Sequence, residues 1–550
     1  MNCLTYPTGA VVSPDYAIRV GELLEQFGTP DADVAWLLCD RHPASARALM
    51  IVDEHLAAIE YTYGELAEAS RRAAAVLSAA GVGRGDRVAT VMGKSAQLVA
   101  VVLGIWRLGA VYVPLFTAFA EDAIRSRLAD AEVRLVVADE DQRAKVPAGD
   151  WTLIVAGTDS PDGLSARLVA ASWQGIGSTP VGGDGALVHM FTSGTTGKPK
   201  GVVHPVRYAA GWQSYLEFGL GVGPDSVFWC GADPGWAYGL YTAIVAPLAA
   251  GVPTLLLRGG FSAADTWTVL KDRAVTDYTA APTVYRGLRA SGLPVPQGLA
   301  LRRLSSAGEP LTPEVNDWAR DALGLEVHDH YGQTELGMPI GFPHHSSLRR
   351  PVLAGAMGTS LPGWEITVLG EDDDAPVESG QTGRLAIVVA GSPLMTFRGY
   401  VGGRGGDRFR AGGAYFLTGD IASIDADGIV RFSARDDDVI IMAGYRIGPF
   451  DIESTLLQHP AISEAAVVAG PDEVRGEVVE AFVVLAPGAA VSDDLVQQLQ
   501  QWVKKNYAAH AYPRRIHFVQ SLPKTPSGKI QRAQLRQRRR EDAGLGAGAR

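Results

Sequence analysis

The chain has 550 residues and a net charge of 49 − 60 = −11, which is too long for one core and gives no encouragement to nucleic acid or an anionic membrane as a partner. Its three cysteines, Cys3, Cys39 and Cys230, are too few and too widely spaced for a disulfide framework or a zinc site, so a reduced cytoplasm is the expected compartment. The first residues lack a basic region followed by an apolar run and a cleavage site, and no secretory signal is expected.

From residue 60 to 190 helical and strand patterns alternate. Residues 63–80 carry apolar groups at helical spacing, with Thr62 as N-cap and Gly81 as the stop. Residues 87–92 are a short β-rich run, 96–108 read as helix and 133–137 as strand. Repeated βα units with apolar strands predict layered α/β structure. The glycines of GVGRG at 81–85 follow a helix and precede a strand, the reverse of a dinucleotide site, and read as a turn. Two apolar stretches fail as membrane spans: 98–120 is broken by Gly104, Arg107, Gly109 and Pro114, and 240–257 by Pro247, Gly251 and Pro253. A spanning helix needs about 20 unbroken apolar residues. Each stretch predicts a buried helix, a glycine turn and a buried strand, and no integral membrane association.

Near residue 355 the composition changes. Runs at 365–369, 383–389 and 429–432, separated by Gly and Asp turns, predict a small β subdomain. Beyond Arg435 the pattern is mixed: helix 450–458, strands 465–469 and 478–485, helix 492–506 and strand 515–518, a unit of about 110 residues. The expected fold class is α/β. A large N-terminal domain over 1–435 holds two layered α/β subdomains and the small β subdomain. An α+β domain follows over 436–540, and a disordered tail over 541–550. The junction RDDD at 435–438 is expected to be exposed, because three adjacent like charges repel. The basic cluster Arg536, Arg538, Arg539 and Arg540 is expected to be a solvated, frayed terminus.

The densest chemistry lies at 191–201, FTSGTTGKPKG, directly after the apolar run ALVHM. Glycine lets the backbone approach a ligand, and free N–H groups, hydroxyls and lysine ammoniums make a site for phosphate oxygens. It is not a Walker A loop, because Gly194 and Gly197 are only two residues apart and Pro199 follows Lys198. Four further runs follow in order: YGQTE at 331–335, YFLTGD at 415–420, RDDDVIIMAGYRIGPFDIE at 435–453 and PKTPSGKIQR at 523–532. The ordered set resembles the adenylate-forming enzymes, which include acyl-CoA synthetases, luciferases and the adenylation domains of peptide synthetases.

That resemblance implies an ATP-dependent carboxylic acid:CoA ligase, with ATP, CoA and Mg²⁺ as its cofactors. A carboxylate is a poor acyl donor, because its leaving group would be an oxide; a mixed anhydride with AMP supplies a good one. Both reactants are anionic, so the site must hold them together and neutralise the charge that develops. By resemblance, Thr192, Ser193, Gly194, Thr195, Thr196, Gly197, Lys198 and Lys200 wrap the β- and γ-phosphates. Gly308, Glu309 and Pro310 run beside the adenine. Asp329, His330, Tyr331, Gly332, Gln333 and Thr334 line the adenine and α-phosphate, with Thr334 as a phosphate donor. Glu335 holds Mg²⁺. Asp420 accepts from the ribose hydroxyls, assisted by Arg435; alone it would read as a turn residue. Lys529, in a turn of the small domain, bridges the substrate carboxylate and the α-phosphate, a role suited to a compact point charge.

For thioester formation the resemblance implies that the C-terminal domain is mobile and rotates about a hinge at Asp437. Ala443, Gly444 and Tyr445 then face the pantetheine, and Arg446 and Arg475 the CoA phosphates. DPGWAY at 233–238 resembles the acyl-pocket segment of acetyl-CoA and medium-chain acyl-CoA synthetases, which points to Trp236, Ala237, Tyr238, Ala307 and Gly332 as the pocket. Acetate enzymes commonly carry Trp where Gly332 stands, so glycine is expected to open the pocket floor to a short-to-medium-chain or aryl acid. The alternatives are an acetate–CoA ligase and an adenylating enzyme that delivers to a carrier protein. A nucleotide-binding regulator without chemistry would lack Lys529 or Glu335, and both are present. A homodimer is left open.

Overall fold

Residues 60–190 fold from their own local signals. In the computed structural model, which describes residues 14–157, 160–192, 199–403, 405–442, 445–472, 476–508, 511–525 and 529–542, the first predicted helix is Tyr63–Ala79. Thr62 Oγ1 accepts from the Glu65 amide while the Glu65 carboxylate accepts from the Thr62 amide, a reciprocal cap worth about 1 kcal/mol. Gly81 then turns the chain at φ 86°. The next helix, Ala96–Arg107, crosses the first closely. A Cβ on Gly104 would lie 2.8 Å from Ala73 Cβ and 2.9 Å from the Ala74 nitrogen, so only glycine fits the crossing. Arg107, whose charge argues against a membrane span, is itself buried; its guanidinium forks onto Asp40 and donates to Ser70 Oγ at 2.7 Å.

Among the described residues the strands form four sheets. In the first, Arg87–Val91, Val111–Pro114, Val133–Asp139 and Thr152–Ala156 run parallel; Ala186–Thr192 joins beside Val111–Pro114 and folds back antiparallel into Lys200–Pro205. The second has a parallel centre of Phe228–Cys230, Thr254–Leu257, Asp277–Ala280, Arg303–Ala307 and Val327–Gln333. The hairpin partner Gly337–Gly341 lies antiparallel beside Val327–Gln333. The stretch 240–257 is, as expected, a helical run to Ala250, a left-handed Gly251 and the strand Thr254–Leu257. No helix among the described residues is long and apolar enough to cross a membrane. The third sheet is antiparallel, built from Ile366–Leu369, Thr382–Val388, Phe409–Arg410, Tyr415–Ile424 and Val430–Arg435, where the small β subdomain is expected.

The fourth sheet contains only later strands: Ile440–Met442, Tyr445–Ile447, Ile462–Asp472, Gly476–Leu485 and Arg515–Phe518, with helices Pro449–Leu457 and Asp493–Asn506 packed on it. Here the structure departs from expectation in two places. The basic cluster is no frayed end, for Arg532–Asp542 is a helix. Its Leu535 is buried among Ala466, Val468, Phe482 and Leu522, a contribution of about 2 kcal/mol. Arg532 pairs with Glu453, Arg536 with Asp438 and Arg539 with Glu480, while Arg538 stays exposed. Residues 543–550 lie outside the described residues. The junction is not uniformly exposed either. Asp436 is exposed, but the Asp438 side chain is only 11% accessible, held between two guanidiniums that outweigh repulsion from its neighbours.

Candidate active site

The hairpin that carries the glycine-rich loop is described at both ends. Thr192 closes one strand and pairs in register with Lys200 at the start of the next. Ser193, Gly194, Thr195, Thr196, Gly197 and Lys198 lie outside the described residues. Lys200 Nζ sits 5.0 Å from the centroid of the Tyr400 ring, and the Val401 amide donates to Gly201 O at 2.9 Å. One step further along the strand, His204 reaches across to YGQTE. Its Nε2 lies 2.7 Å from Thr334 O, and Tyr208 Oη donates to the same carbonyl at 2.9 Å. A nitrogen facing a carbonyl must carry the proton, so Nδ1 accepts from Tyr241 Oη at 2.9 Å. Burial pushes His204 down to about 3, which keeps that neutral tautomer. Thr334 is thereby fixed by its backbone, and its hydroxyl makes no hydrogen bond among the described residues.

Three carboxylates surround this point, each with a guanidinium. Glu335 is buried; Tyr400 Oη donates to its Oε1, and Arg408 Nη1 lies 3.3 Å from the same atom. Arg408 also donates to Leu417 O at 2.9 Å, to Tyr400 Oη at 2.7 Å and to Thr418 O, with its guanidinium over the Phe416 ring. Asp420 is 2% exposed; it accepts from Tyr331 Oη and from Gln333 Nε2 at 2.8 Å, and Arg435 Nη1 lies 3.1 Å away. Burial pushes its carboxyl up, with the Arg435 charge opposing. Glu309 accepts from Thr283 at 2.6 Å and from Arg286 at 2.7 Å, between Gly308, whose φ is 98°, and Pro310.

Lys529 faces these groups from the other lobe. Its side chain is water-accessible, yet protein packed around it pushes the ammonium below its usual range, while Glu309, Asp420 and Glu335 pull it back up and Arg435 adds to the lowering. The small lobe thus presents its lysine to the carboxylate cluster of the large one. The chemistry of the donor set fits one Mg²⁺: a single carboxylate whose named partners both use Oε1, beside residues that would carry phosphate, matches an ion that takes few protein ligands and completes its shell with phosphate and water.

Strand alternation divides the residues 329–331. Asp329 is buried, its Oδ1 has no hydrogen-bond partner among the described residues, and burial pushes it up to about 8. The His330 ring is not available to the nucleotide. Its Nε2 lies 3.0 Å from Phe342 O and its Nδ1 2.8 Å from Tyr215 Oη. Since Nε2 must donate to the carbonyl, Nδ1 accepts from Tyr215. Tyr215 then accepts from Tyr238 at 3.0 Å, and Tyr238 from Thr279 at 2.7 Å. The proton directions of the whole chain are fixed by one backbone carbonyl. His330 is thereby tied to Tyr238 and to Ala307, its neighbour in register, two of the residues expected to line the acyl pocket. Trp236 packs on Phe116 and Phe119, at 5.2 and 5.7 Å between ring centroids, and Ala237 is buried.

Gly332 corrects the pocket reading. A Cβ there would collide with the Gly337 carbonyl oxygen and the Met338 sulfur across the hairpin. The missing side chain makes room for a neighbouring strand, not for a longer acid, so replacement by Trp would move the hairpin before it could shorten a pocket. Of the residues expected to meet CoA, Ala443, Gly444 and Arg475 lie outside the described residues, as do the side chains of Tyr445, Arg446 and the hinge candidate Asp437. His204, Tyr208, Tyr400, Arg408, Tyr215 and Thr279 hold the expected site residues in place, and no motif in the sequence marks them.

Comparison with known proteins agrees along the chain. The family described as AMP-binding enzyme matches residues 39–401, and its C-terminal domain family matches 451–529. Acetyl-coenzyme A synthetase of Bacillus subtilis strain 168 is 34% identical over 533 residues, covering 92% of this chain and 91% of that protein. The mitochondrial acyl-coenzyme A synthetase ACSM3 of Homo sapiens is 31% identical over 502 residues, covering 87% and 83%. The crystal structure of a Brucella canis acyl-CoA synthetase superimposes with a TM-score of 0.74 at 41% identity, covering 96% of this chain and 99% of that one.

Proposed function

Because the chain belongs to the AMP-binding enzyme family and is an AMP-forming acyl-CoA ligase, we propose that its two lobes divide the reaction between them. In the first half, an oxygen of the substrate carboxylate attacks the α-phosphorus of ATP, the bond to the β-phosphate oxygen breaks, and pyrophosphate leaves. Lys529 lies between the two anions and offsets their repulsion. Thr334 offers its free hydroxyl to the α-phosphate, Asp420 accepts from the ribose, and the loop from Thr192 to Lys200 holds the outgoing phosphates. Mg²⁺, held by Glu335, would neutralise phosphate charge. In the second half, rotation at Asp437 withdraws Lys529; the CoA thiolate attacks the acyl carbon, AMP leaves, and the thiol proton passes to solvent.

The acid is a short-to-medium-chain or aryl carboxylic acid seated between Trp236, Ala237, Tyr238 and Ala307. With Gly332 committed to the hairpin, Trp236 and Tyr238 govern its depth. A reduced compartment such as the cytoplasm suits Cys39 and Cys230, both free and buried.

One observation carries this reading: a lysine from the small lobe lies within electrostatic reach of Glu309, Glu335 and Asp420 of the large lobe. Acid-dependent pyrophosphate exchange, run over acids of two to twelve carbons and benzoate, tests it. Lys529→Ala should lower exchange by about a thousandfold and still convert supplied acyl-adenylate to thioester. An enzyme that exchanges pyrophosphate equally well without Lys529 would refute the assignment.

A further inference from the structure

Lys529 does not stand alone in its turn. Its amide donates to Thr525 Oγ1 at 3.0 Å, its carbonyl accepts from the Thr525 amide at 2.7 Å, and Lys524 and Ile530 bridge across the turn. The Gln531 amide donates to Pro523 O at 2.8 Å, and at Arg532 the chain enters the last helix. Lys529 is thus held to Thr525 on one side and leads within three residues into a helix on the other.

That helix is bolted, near its start, to the chain just past Asp437. The Asp438 carboxylate accepts from Arg536 and lies 3.6 Å from Arg532 Nη1. Arg532 also forks onto buried Glu453, at 3.1 Å from Nε and 2.7 Å from Nη2, and Glu453 accepts from the Val467 amide at 2.7 Å. Charged hydrogen bonds therefore join the residue after the hinge candidate to the helix that begins three residues beyond Lys529. A carboxylate shielded between two guanidiniums resists displacement far more than an exposed ion pair does. Rotation at residue 437 must turn the helix and Lys529 as one piece.

We propose that Asp438 is a positioning residue for the first half-reaction: through Arg532 and Arg536 it fixes the orientation of Lys529 relative to the junction. The inference rests on the proposed role of Lys529 as the cation of the adenylating step. Thioester formation does not use the ammonium, so loosening the bolt should be felt in one half-reaction and not in the other. A residue needed only for the stability of the lobe would act on both.

The test uses the full chain with Asp438→Asn, Arg536→Gln and Arg536→Lys, measuring acid-dependent pyrophosphate exchange beside conversion of supplied acyl-adenylate to thioester. Asp438→Asn and Arg536→Gln should lower exchange by about ten- to a hundredfold, the loss that a misplacement of about 1 Å can produce. Thioester formation should stay within about twofold, and Arg536→Lys should keep most of the exchange. Equal losses in both halves, or no loss in either, would overturn the proposal. Lys529→Ala run alongside separates the failures. If it leaves exchange intact, the role of Lys529 falls and this inference with it. If it abolishes exchange while the Asp438 and Arg536 variants do not lower it, only the bolt is wrong. Should Asp438→Asn not fold, the two Arg536 variants carry the test.

Discussion

On the side proposed for the nucleotide, Glu309, Glu335 and Asp420 each face a guanidinium, Arg286 at 2.7 Å, Arg408 at 3.3 Å and Arg435 at 3.1 Å. On the side proposed for the acid, Thr279, Tyr238, Tyr215 and His330 hand hydrogen bonds along a neutral chain. The contrast follows from the ligands. A polyphosphate needs carboxylates for its metal and its ribose, but bare carboxylates would repel it; pairing each with arginine brings the site near neutrality before ATP enters and leaves the other donors of the guanidinium for fixing the backbone. An apolar acyl chain offers nothing to a charge, and an ion buried beside it would be costly. Neutral hydroxyls hold those walls in place instead.

The strongest way to break the comparison is to unpair a carboxylate. Among the described residues, Arg408→Gln leaves buried Glu335 with the Tyr400 hydroxyl alone and takes a donor from the Leu417 and Thr418 carbonyls, of which Thr418 O keeps Gln333 Nε2. Removing one partner of a buried pair costs about 3 kcal/mol, so the urea midpoint should drop clearly. Pyrophosphate exchange should fall by about a hundredfold, with a higher magnesium requirement. Equal magnesium titrations for variant and parent would show that Arg408 does not hold the metal carboxylate.

A milder change sharpens the other side. Tyr238→Phe removes the one hydroxyl that both donates to Tyr215 and accepts from Thr279. Two buried groups lose a partner, about 1–2 kcal/mol. The ratio of kcat/KM between a short and a longer acid should shift by up to about tenfold, with the KM for ATP unchanged. A shift in the ATP constant instead would mean that the hydroxyl chain serves the nucleotide.

Much of this was readable beforehand, because it depends on short-range signals. The Thr62 cap, the Gly81 and Gly251 turns, and the small-lobe helices are each encoded within a few residues. So are the motif lysine and carboxylates. What could not be read is held from far away. His204 is a lone histidine on a strand, and only the folded hairpin brings Thr334 O to its ring. Arg408 lies in a Gly-rich stretch without period and acquires meaning from residues 333, 335 and 418. The last helix shows a single useful apolar side chain, Leu535, among five arginines. Its anchors Asp438, Glu453 and Glu480 are scattered upstream, so its charges look solvated in one dimension. Gly332 announces a small residue without saying what needs the space.

The smallest effect concerns Asp329, an acid on the charged side that has no arginine. Burial raises it to about 8, against the stabilising amides of Leu311 and His330; in the unfolded chain it titrates near 3.9. The folded state therefore keeps a proton that the unfolded state has already lost between those two values. Its contribution to stability is complete below about pH 4, declines as pH rises to about 8 and is constant above, with a slope of at most about 1.4 kcal/mol per pH unit. Asp329→Asn has no such proton to lose. Urea midpoints at pH 5.5, 7 and 8.5 should fall less steeply for the variant than for the parent, the gap widening with pH. Parallel curves would mean that the carboxyl is ionised in the folded protein, and that some cation compensates Asp329 as arginine compensates the other three.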